Sequence, residues 1–474
     1  MLYFPSHNGR RPKIHFSGIG GTGMVAGARL AVEAGWDVRG SDNPLYPPTS
    51  EMVKALACPV ATAYAADNLD WNPDFVVVGN ALSRGNPEVE AVLERKLHYV
   101  SLSEWLKEAV LRPRKPIVIA GTHGKTTTTT LTAYLLDRAG LDPGFFIGGQ
   151  PLDFPHSSRL GAEGRPFVIE GDEYDTAFFD KRAKFFHYMP EIAVVTYVEF
   201  DHGDIYRDIE EIQRAFRWML RQIPASGWLV ACAEGKGSLG LKEGAPCNVL
   251  TYGFADSVDF RGEIGQSRSG LQEMTVFKHG RRWGDVRVPL AGRHNLLNTL
   301  AALAVGDLLG IPAAALAESL PAFRGVRRRM EVFHQSRGVT FVDDFGHHPT
   351  AIRETIAAAH MRWPGQRLWA VFEPRSNTTV TNRFQDDIRV ALQTADRVWI
   401  GPIHRPEKIA PEERLDRAGL SRNLTAAGVP AAFTDNVEDI VRDLAAEARE
   451  GDVVLILSNG AFGSIYDRLR TAFN

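Results

Sequence analysis

The sequence predicts an α/β fold of three domains with largely parallel, doubly wound sheets. Its 474 residues are too many for one hydrophobic core, because single cores stop growing at roughly 250–300 residues. Short apolar runs of strand length alternate with longer helical patterns along most of the chain, which indicates parallel sheets covered by helices. Two of these runs lead directly into glycine-rich turns that precede helices, as occurs where α/β sheets bind ligands.

The first segment, residues 1–113, predicts a Rossmann-like N-terminal domain. Strands are expected at residues 13–17, 36–40 and 75–79, with a helix at residues 24–34. A basic stretch that contains two prolines follows and predicts the first domain boundary.

The second segment, residues 114–322, predicts a central α/β domain with extra β-structure. Strands are expected at residues 116–120, 167–170 and 192–196. Alternating apolar and polar residues between positions 248 and 289 indicate additional strands, and two helices are expected to close the segment.

The third segment, residues 323–474, predicts a second Rossmann-like domain at the C-terminus. Strands are expected at residues 340–342, 368–372, 397–400 and 452–457, with helical stretches between them. Polar residues follow the first two of these strands, where a doubly wound sheet binds its ligands.

The composition is that of a globular protein in a reducing compartment. A net charge of −3 gives no reason to expect nucleic acid or an anionic membrane as a partner. No apolar run approaches the roughly 20 residues of a membrane span, and the first residues lack the apolar core of a signal peptide. The three cysteines lie far apart and form no metal-spaced pair. A cytoplasmic location is therefore expected.

The most informative motif is the turn Gly-Thr-His-Gly-Lys-Thr-Thr-Thr at residues 121–128. It joins a predicted strand to a predicted helix, so that backbone N–H groups and the helix N-terminus can hold a phosphate. Lys125 is placed to reach the outer phosphates, and the Thr126 hydroxyl to bind Mg²⁺. The usual phosphate loop has a glycine where this chain has Ile119, so the loop is a shortened variant. It predicts a central domain of the P-loop ATPase type, the alternative being a plain strand–turn–helix junction.

A second glycine-rich turn, Gly-Ile-Gly-Gly-Thr-Gly at residues 18–23, follows the first predicted strand. With Asp42 at the end of the next strand, it fits a dinucleotide-binding fingerprint. Because NAD and a nucleotide sugar both carry a pyrophosphate, the motif leaves both open. Close packing of strand and helix without any ligand is a third explanation.

Carboxylates follow two predicted strands of the central segment. Residues 170–175 read Glu-Gly-Asp-Glu-Tyr-Asp, and residues 199–202 read Glu-Phe-Asp-His. Groups at these strand ends face the ligand crevice, where a carboxylate beside a phosphate loop can hold Mg²⁺. Acidic surface turns would explain the same residues.

Polar pairs and clusters also mark the later part of the chain. Asn295 and Asn298 share one helical face, and an amide pair can both donate to and accept from an adenine edge. A helix cap with a surface asparagine is the alternative. Residues 327–329, Arg-Arg-Arg, would suit a phosphate clamp or a basic linker.

Together these motifs resemble the Mur ligase family of cell-wall enzymes over nearly the whole chain, and the shortened phosphate loop is that family's form. The resemblance implies three domains, ATP and Mg²⁺ as cofactors, and formation of an amide. In that reaction a carboxylate is activated as an acyl phosphate, which an amine then attacks. The motifs that carry the resemblance are the two glycine turns, Asp172-Glu173, Asp201-His202, His294-Asn295 with Asn298, Arg328-Arg329 and residues 343–349.

The resemblance also implies a role for each candidate residue. The catalytic set is Lys125, Glu173 and His202, and the magnesium ligands are Thr126, Glu173 and His202. The ATP-binding residues are Gly121, Thr122, His123, Gly124, Lys125, Thr126, Thr127, His294, Asn295, Asn298, Arg328, Arg329 and Asp344. The UDP-sugar-binding residues are Gly18, Gly20, Gly21, Gly23, Asp42, Asn80, Ser83 and Arg84. The peptide-binding residues are His348, Arg375, Ser376 and Asn377.

Two activities of the family fit the sequence. One joins UDP-N-acetylmuramate to the recycled murein tripeptide L-Ala-γ-D-Glu-meso-diaminopimelate, and the other joins it to L-alanine. Residues 46–50, 79–87, 174–182, 373–378 and 458–463 resemble the tripeptide ligases, whereas residues 18–24 are closer to the L-alanine ligases. We therefore predict a tripeptide ligase, a monomer or weak homo-oligomer, with the L-alanine ligase as the alternative.

Two functions outside this family were weighed against the ligase. An NAD-dependent oxidoreductase would explain the first glycine turn but would leave residues 121–128 without a role. A non-catalytic nucleotide-binding switch would explain the phosphate loop alone and would not need a third α/β domain.

Overall fold

The computed structural model describes residues 10–46, 49–201 and 205–474 and confirms the predicted three-domain α/β fold. Three large sheets follow one another along the chain, drawn from residues 13–101, 115–288 and 331–457. The exact domain boundaries, after residues 113 and 322, stay a prediction. Within the described residues, no helix is long and apolar enough to cross a membrane.

The first domain contains a five-stranded parallel sheet. Its elements are β1 (Lys13–Ser17), α1 (Thr22–Glu33), β2 (Asp37–Ser41), α2 (Thr49–Lys54), β3 (Val60–Ala61), β4 (Phe75–Val78), α3 (Pro87–Glu94), β5 (Tyr99–Ser101) and α4 (Leu102–Trp105). The strand order is β3-β2-β1-β4-β5. The chain direction across the sheet reverses between β1 and β4, so the ligand crevice of such a sheet falls at the carboxyl end of β1.

The central domain contains a ten-stranded mixed sheet and a separate hairpin. Its elements are β6 (Lys115–Ala120), α5 (Lys125–Arg138), β7 (Gly144–Phe146), β8 (Ser158–Arg159), β9 (Pro166–Gly171), β10 (Asp175–Ala177), β11 (Asp180–Ala183), β12 (Ile192–Val195), α6 (Ile209–Leu220), β13 (Trp228–Cys232), α7 (Lys236–Leu239), β14 (Asn248–Gly253), β15 (Phe260–Arg268), β16 (Leu271–Lys278), β17 (Arg281–Val288), α8 (Arg293–Leu308) and α9 (Ala313–Ser319). The order β17-β16-β15-β14-β13-β12-β6-β9-β7-β8 places β6 inside the sheet, between β12 and β9. Strands β10 and β11 form the hairpin.

The third domain contains a six-stranded sheet that is parallel except for its edge strand β18 (Glu331–Ser336). The other elements are β19 (Val339–Asp344), α10 (Pro349–Arg362), β20 (Leu368–Phe372), α11 (Asn377–Val380), α12 (Gln385–Leu392), β21 (Arg397–Ile400), α13 (Arg417–Ala426), β22 (Ala431–Phe433), α14 (Val437–Glu447), β23 (Val453–Leu457) and α15 (Ile465–Phe473). The order β18-β19-β23-β20-β21-β22 brings the carboxyl ends of β19, β23 and β20 side by side.

One hydrophobic core joins the first two domains. Phe16 and Trp105 of the first domain and Phe185 and Phe216 of the central domain belong to the same buried cluster. The hairpin β10–β11 adds a second contact, because Asn80 Nδ2 donates to a backbone carbonyl of that hairpin over 3.0 Å. The first glycine turn is therefore held in a fixed position relative to the central domain.

Truncation of this shared core is expected to destabilise the protein. Phe216 is fully buried and its ring lies 4.9 Å from that of Phe185, so Phe216→Ala should cost about 3–5 kcal/mol. Trp218 lies on the same helix but is 44% exposed, and Trp218→Ala should change stability by about 0.5 kcal/mol or less. Thermal unfolding followed by circular dichroism compares the two variants, and equal shifts in Tm would contradict the assignment of this core.

Candidate active site

A cleft of about 1870 Å³ is lined by residues of all three domains. It lies where the carboxyl ends of strands from the three sheets face one another, which is where α/β sheets bind ligands. The predicted site residues that line it are Gly18, Gly21, Gly23, Asp42, Asn80, Thr122, His123, Gly124, Lys125, Thr126, Thr127, Glu173, His294, Asn295, Asn298, Arg328, Arg329, Asp344 and His348.

The phosphate loop is a tight turn that requires both of its glycines. Gly124 is the N-cap of α5 with φ of 81°, and a β-carbon there would lie 2.3 Å from Asn298 Oδ1. Gly121 has φ of 138°, and a β-carbon there would lie 2.1 Å from Thr196 Oγ1. Because these backbone conformations favour glycine and leave no space for a side chain, the turn can bring its N–H groups close to an anion.

Lys125 forms a buried ion pair inside this turn. Its ammonium group donates to Glu173 Oε2 over 2.8 Å and to the Gly121 carbonyl over 2.7 Å. Burial alone would lower the pKa of Lys125, but the carboxylates of Glu173 and Asp172 outweigh it and raise the pKa. Lys125 is therefore a permanent cation at the base of the cleft.

The Thr126 hydroxyl meets a carboxylate that the sequence analysis did not select. It donates to Glu170 Oε1 over 2.8 Å, while the backbone N–H of Gly148 donates to Glu170 Oε2 over 2.8 Å. Burial raises the pKa of Glu170, assisted by the nearby charge of Asp172. The sequence places Glu170 and Glu173 three residues apart at the same strand end. Spacing alone could not decide which of the two carboxylates contacts Thr126.

These oxygen atoms match the ligands that Mg²⁺ prefers. Thr126 offers a hydroxyl, and Glu170 and Glu173 offer buried carboxylates beside the phosphate loop. His202, the third predicted ligand, lies outside the described residues, and its role stays a prediction.

The predicted adenine residues lie at the start of α8. Asn295 Nδ2 donates to the Ala291 carbonyl over 2.7 Å, and Asn298 Nδ2 donates to Asn295 Oδ1 over 3.2 Å. Asn298 therefore lies against the phosphate loop at Gly124, and contact of the pair with adenine stays a prediction. Burial, with repulsion from nearby cations, lowers the pKa of His294 to about 4, so this ring is neutral near pH 7.

The adjacent arginines at the start of the third domain have different surroundings. Arg328 pairs with Asp343 over 3.0 Å and donates to the Ser458 carbonyl over 2.6 Å. Arg329 stacks its guanidinium group over the Phe345 ring, 5.1 Å from the ring centre, at the cleft wall. These contacts favour Arg329 as the phosphate-binding member, since Arg328 holds its own domain together.

Asp344 is a buried acceptor for the backbone at the same cleft wall. It accepts from the N–H groups of Gly346 over 2.7 Å and Met330 over 2.9 Å. Burial raises its pKa. Asp344 therefore shapes the turn that faces the nucleotide cleft.

In the first domain, Asp42 holds the glycine turn in place. It accepts from the Gly20 N–H and from the Tyr64 hydroxyl, each over 2.8 Å. Ser83 and Arg84 are exposed and lie outside the described lining of the cleft, and Arg84 pairs with Glu90 over 2.9 Å. Their role in sugar binding stays a prediction.

Glu199, which the sequence analysis did not include among the site residues, connects the central and third domains. Its carboxylate contacts the His123 ring, accepts from the Thr350 hydroxyl over 3.1 Å and lies 3.1 Å from His348 Nδ1. Burial alone would raise the pKa of Glu199, but the hydrogen bonds from both histidines hold it well below its ordinary value. His348 is thus brought to the phosphate loop by a contact across domains.

The remaining predicted peptide residues follow β20. Arg375 lies 3.5 Å from Glu373 and 3.2 Å from the His404 ring nitrogen Nδ1. Ser376 caps the short helix α11. Two residues further along, the Thr378 hydroxyl donates to Asp201 of the central domain over 2.8 Å. Arg375, Ser376 and Asn377 lie outside the described lining of the cleft, and their role in peptide binding stays a prediction.

Comparison with known proteins places all three domains in one family. The Mur ligase family catalytic domain matches residues 13–114, the Mur ligase middle domain matches residues 119–306, and the Mur ligase glutamate ligase domain matches residues 328–460.

Relatives of two kinds span nearly the whole chain. The UDP-N-acetylmuramate–L-alanyl-γ-D-glutamyl-meso-2,6-diaminoheptandioate ligase of Escherichia coli (strain K12) is 39% identical over 464 residues, covering 96% of this chain and 97% of that protein. The UDP-N-acetylmuramate–L-alanine ligase of Acidovorax sp. (strain JS42) is 36% identical over 462 residues, covering 95% and 94%.

Solved structures are similar in the same two groups. A murein peptide ligase from Psychrobacter arcticus gives a TM-score of 0.72 at 35% identity, covering 97% of this chain and 98% of that one. UDP-N-acetylmuramate–alanine ligase MurC from Thermotoga maritima gives a TM-score of 0.79 at 25% identity, with the same coverage.

Removal of the buried ammonium group is expected to abolish nucleotide-dependent activity. Lys125→Ala should lower kcat/KM by about 10³-fold or more, because a charge aimed at the transferred phosphate is lost. Steady-state release of phosphate measures the loss, with Lys115→Ala, an exposed residue of the same domain, as the control. Retention of more than a few per cent of activity by Lys125→Ala would refute this role.

Removal of the interdomain carboxylate is expected to loosen the third domain. Glu199→Ala removes the shared partner of His123, His348 and Thr350, and hydrogen bonds to charged groups contribute about 1.5–3 kcal/mol each. The docked population should fall by roughly tenfold or more, which enlarges the radius of gyration in small-angle X-ray scattering. The exposed Glu210→Ala serves as the control, and an unchanged scattering curve for Glu199→Ala would count against the contact.

Proposed function

This chain belongs to the Mur ligase family, and from that premise we propose that it joins UDP-N-acetylmuramate to the tripeptide L-alanyl-γ-D-glutamyl-meso-diaminopimelate. ATP would be converted to ADP and phosphate in the reaction. Membership of the family makes the chain an ATP-dependent ligase, and the identity of its substrates is our proposal. The observation that carries the proposal is the cleft in which the phosphate loop lies between the first glycine turn and the strand ends of the third domain.

The three walls of the cleft suit three substrates. The glycine turn after β1 lies at the crevice of a Rossmann-like sheet and suits the pyrophosphate of a nucleotide sugar. The phosphate loop suits ATP, and the turns after β19, β20 and β23 would hold the amine. A carboxylate bound from the first wall and an amine bound from the third would therefore meet at the γ-phosphate.

The proposed reaction has two steps. The lactyl carboxylate of the muramate attacks the γ-phosphorus of ATP and ADP leaves, which gives an acyl phosphate. The terminal amine of the tripeptide then attacks the acyl carbon, phosphate leaves, and the amine loses a proton. Docking of the third domain would exclude water, which would otherwise hydrolyse the acyl phosphate.

The chain's own residues have defined tasks in this proposal. Lys125 exchanges Glu173 for the outer phosphates and neutralises charge that develops during transfer. Thr126, Glu170 and Glu173 would hold Mg²⁺, which when bound neutralises the phosphate oxygens. His348 and Thr350, tied to Glu199, keep the third domain against the phosphate loop.

The substrates also bear on location and assembly. UDP-N-acetylmuramate and ATP are cytoplasmic metabolites, so we place the protein in the cytoplasm, without nucleic acid or membrane as a partner. We further propose that it acts as a monomer or weak homo-oligomer, because one chain supplies all three walls of the cleft.

An L-alanine ligase is the second candidate. The Thermotoga maritima enzyme shares the three-domain arrangement with a TM-score of 0.79, above the 0.72 of the murein peptide ligase from Psychrobacter arcticus. The higher sequence identity, 39% against 36% over similar lengths, favours the tripeptide ligase.

A direct assay separates the two candidates. Purified protein with UDP-N-acetylmuramate, ATP and MgCl₂ is given either the tripeptide or L-alanine, and phosphate release is followed. We expect kcat/KM for the tripeptide to exceed that for L-alanine by about 10²-fold or more, since lost polar contacts discriminate at least this strongly. Omission of the nucleotide sugar is the control, and faster turnover of L-alanine would establish the alternative.

A further inference from the structure

We propose that Glu88 is a positioning residue for the nucleotide sugar, whose buried carboxylate fixes the glycine turn at residues 18–23 in the arrangement that receives the pyrophosphate. The inference rests on the proposed function, because it takes UDP-N-acetylmuramate as the ligand of this turn. Glu88 lies in the first turn of α3 and is fully buried in the first domain. The sequence analysis did not select it, although it directly follows residues 79–87, one of the stretches that resemble the tripeptide ligases.

The carboxylate of Glu88 joins the ends of two neighbouring strands. Its Oε2 atom accepts from the hydroxyl of Ser17, the last residue of β1, over 2.5 Å. The same atom accepts from the hydroxyl of Ser41, the last residue of β2, over 2.6 Å. Its Oε1 atom accepts from Asn68 Nδ2 over 2.6 Å. One carboxylate oxygen therefore ties the two strand ends together, and the other holds the segment between β3 and β4.

Glu88 is ionised although it is buried. Burial alone would raise its pKa, but the hydrogen bonds from His15, Asn68, Ser17 and Ser41 lower it to about 2. Among the residues that the structure describes, no lysine or arginine pairs with this carboxylate, so oriented donors hold its charge. Those donors are then constrained in turn by the carboxylate that they serve.

Stabilisation of α3 does not by itself account for this burial. An acidic residue in the first turn of a helix is favourable because of the helix dipole. Glu90, whose side chain is 40% exposed, supplies such a charge in the same turn without leaving water. Since a carboxylate is costly to bury unless it is hydrogen-bonded, the place of Glu88 indicates a task beneath the glycine turn.

Ser41 connects the carboxylate to the glycine turn. Its backbone carbonyl accepts from the N–H groups of Gly18 over 2.9 Å and Ile19 over 3.1 Å. The next residue, Asp42, accepts from the Gly20 N–H over 2.8 Å. The position of the end of β2, which Glu88 fixes, therefore sets the position of three successive residues of the turn.

The N–H groups left for an anion are those of the first turn of α1. The Gly21 N–H donates to the Gly18 carbonyl over 3.3 Å, so the N–H groups of all four residues 18–21 are used within the domain. Helix α1 begins at Thr22 without a side-chain cap, and the N–H groups of residues 22–24 have no partner inside the helix. These three residues line the cleft. The pyrophosphate would therefore meet the N-terminus of α1, whose direction depends on how the turn before it is held.

Loss of the carboxylate would leave the turn with several arrangements instead of one. The apparent affinity of a ligand falls in proportion to the fraction of protein in the binding arrangement. A turn that is correctly arranged about one-tenth of the time would bind the nucleotide sugar about tenfold more weakly. The phosphate loop belongs to another sheet and has no contact with Glu88, so affinity for ATP should be preserved.

Glu88→Gln tests the role because it keeps the shape of the side chain and removes its charge. Donors face both carboxylate oxygens, and an amide, which has one acceptor atom, cannot satisfy both sides. We expect Kd for UDP-N-acetylmuramate, measured by calorimetry without ATP, to rise about tenfold. KM for this substrate should rise equally with kcat within about twofold, because binding before and during reaction is weakened alike. Kd for ATP should stay within about twofold.

Amide hydrogen exchange measures the positioning itself. In Glu88→Gln, exchange at residues 18–21 should accelerate about tenfold, whereas exchange at residues 121–128 should not change. Glu94→Gln, an exposed acid on the same helix, is the matched control and should behave as wild type. Asn68→Ala removes a hydrogen bond from the carboxylate oxygen that does not face the strand ends. It should lower Tm and leave Kd for the nucleotide sugar within about twofold, which separates positioning from stability.

Ser41→Ala is a second variant that decides the matter if Glu88→Gln does not fold. It removes the hydroxyl that contacts Glu88 and keeps the backbone carbonyl that holds the turn. We expect Kd for UDP-N-acetylmuramate to rise about fivefold, because a hydrogen bond to a charged group is lost.

The outcomes distinguish this inference from the proposed function. If wild-type protein binds UDP-N-acetylmuramate and both Glu88→Gln and Ser41→Ala bind it within about twofold of wild type, the positioning role is wrong and the ligase assignment stands. Unchanged exchange at residues 18–21, an equal loss of affinity for ATP, or an equal loss in Asn68→Ala would also overturn the role. If wild-type protein does not bind UDP-N-acetylmuramate, the proposed function itself fails.

Discussion

The buried ion pair between Lys125 and Glu173 is the contact on which the cleft depends. The Lys125 side chain is 12% exposed and that of Glu173 only 3%, so neither charge can be left unpaired without a cost of several kcal/mol. Glu173 and the Gly121 carbonyl satisfy the ammonium group. In the proposed function a triphosphate would replace them with stronger acceptors and free a carboxylate for a metal ion. Binding of nucleotide and binding of metal would then be coupled through this exchange.

The order of the strands in the central sheet places these carboxylates beside the phosphate loop. Since β6 lies between β9 and β12, the phosphate loop that leaves β6 is flanked by the ends of both neighbours. Glu170 and Glu173 come from the β9 side, and Glu199 comes from the β12 side. In the proposed function the first group holds the metal ion beside the phosphate, whereas Glu199 reaches across to His348. One loop is thus connected both to the chemistry and to the docking of the third domain.

The fold could be predicted from the sequence because its strands are buried on both faces and form continuous apolar runs. The strand at residues 368–372 was predicted with its observed bounds for this reason. Short edge strands such as β3 and β8 have two residues each and carry no such pattern. The first helix begins at Thr22, two residues before the predicted start, because Gly21 is its N-cap.

Part of the candidate site could be predicted from the sequence. The contacts that were missed join segments that lie far apart along the chain. Lys125, Thr126 and Glu173 were placed by motifs that combine local structure with chemistry. The contact between Thr126 and Glu170 could not be predicted, because it depends on the pairing of β9 with β6, which brings Glu170 beside the phosphate loop. Glu199 acquires its partner only when the third domain is docked, and sequence spacing does not describe docking.

In the proposed function a single turn of backbone separates the residues that bind phosphate from those that bind the amine. Gly460 lines the cleft on one side and touches Arg375 on the other, and any side chain at this position would displace the guanidinium group. The segment of residues 401–416 lies beyond Arg375, and the His404 N–H donates to the Pro374 carbonyl over 2.9 Å. In the proposed function the phosphate loop is common to both candidate activities, and residues of the third domain select the amine.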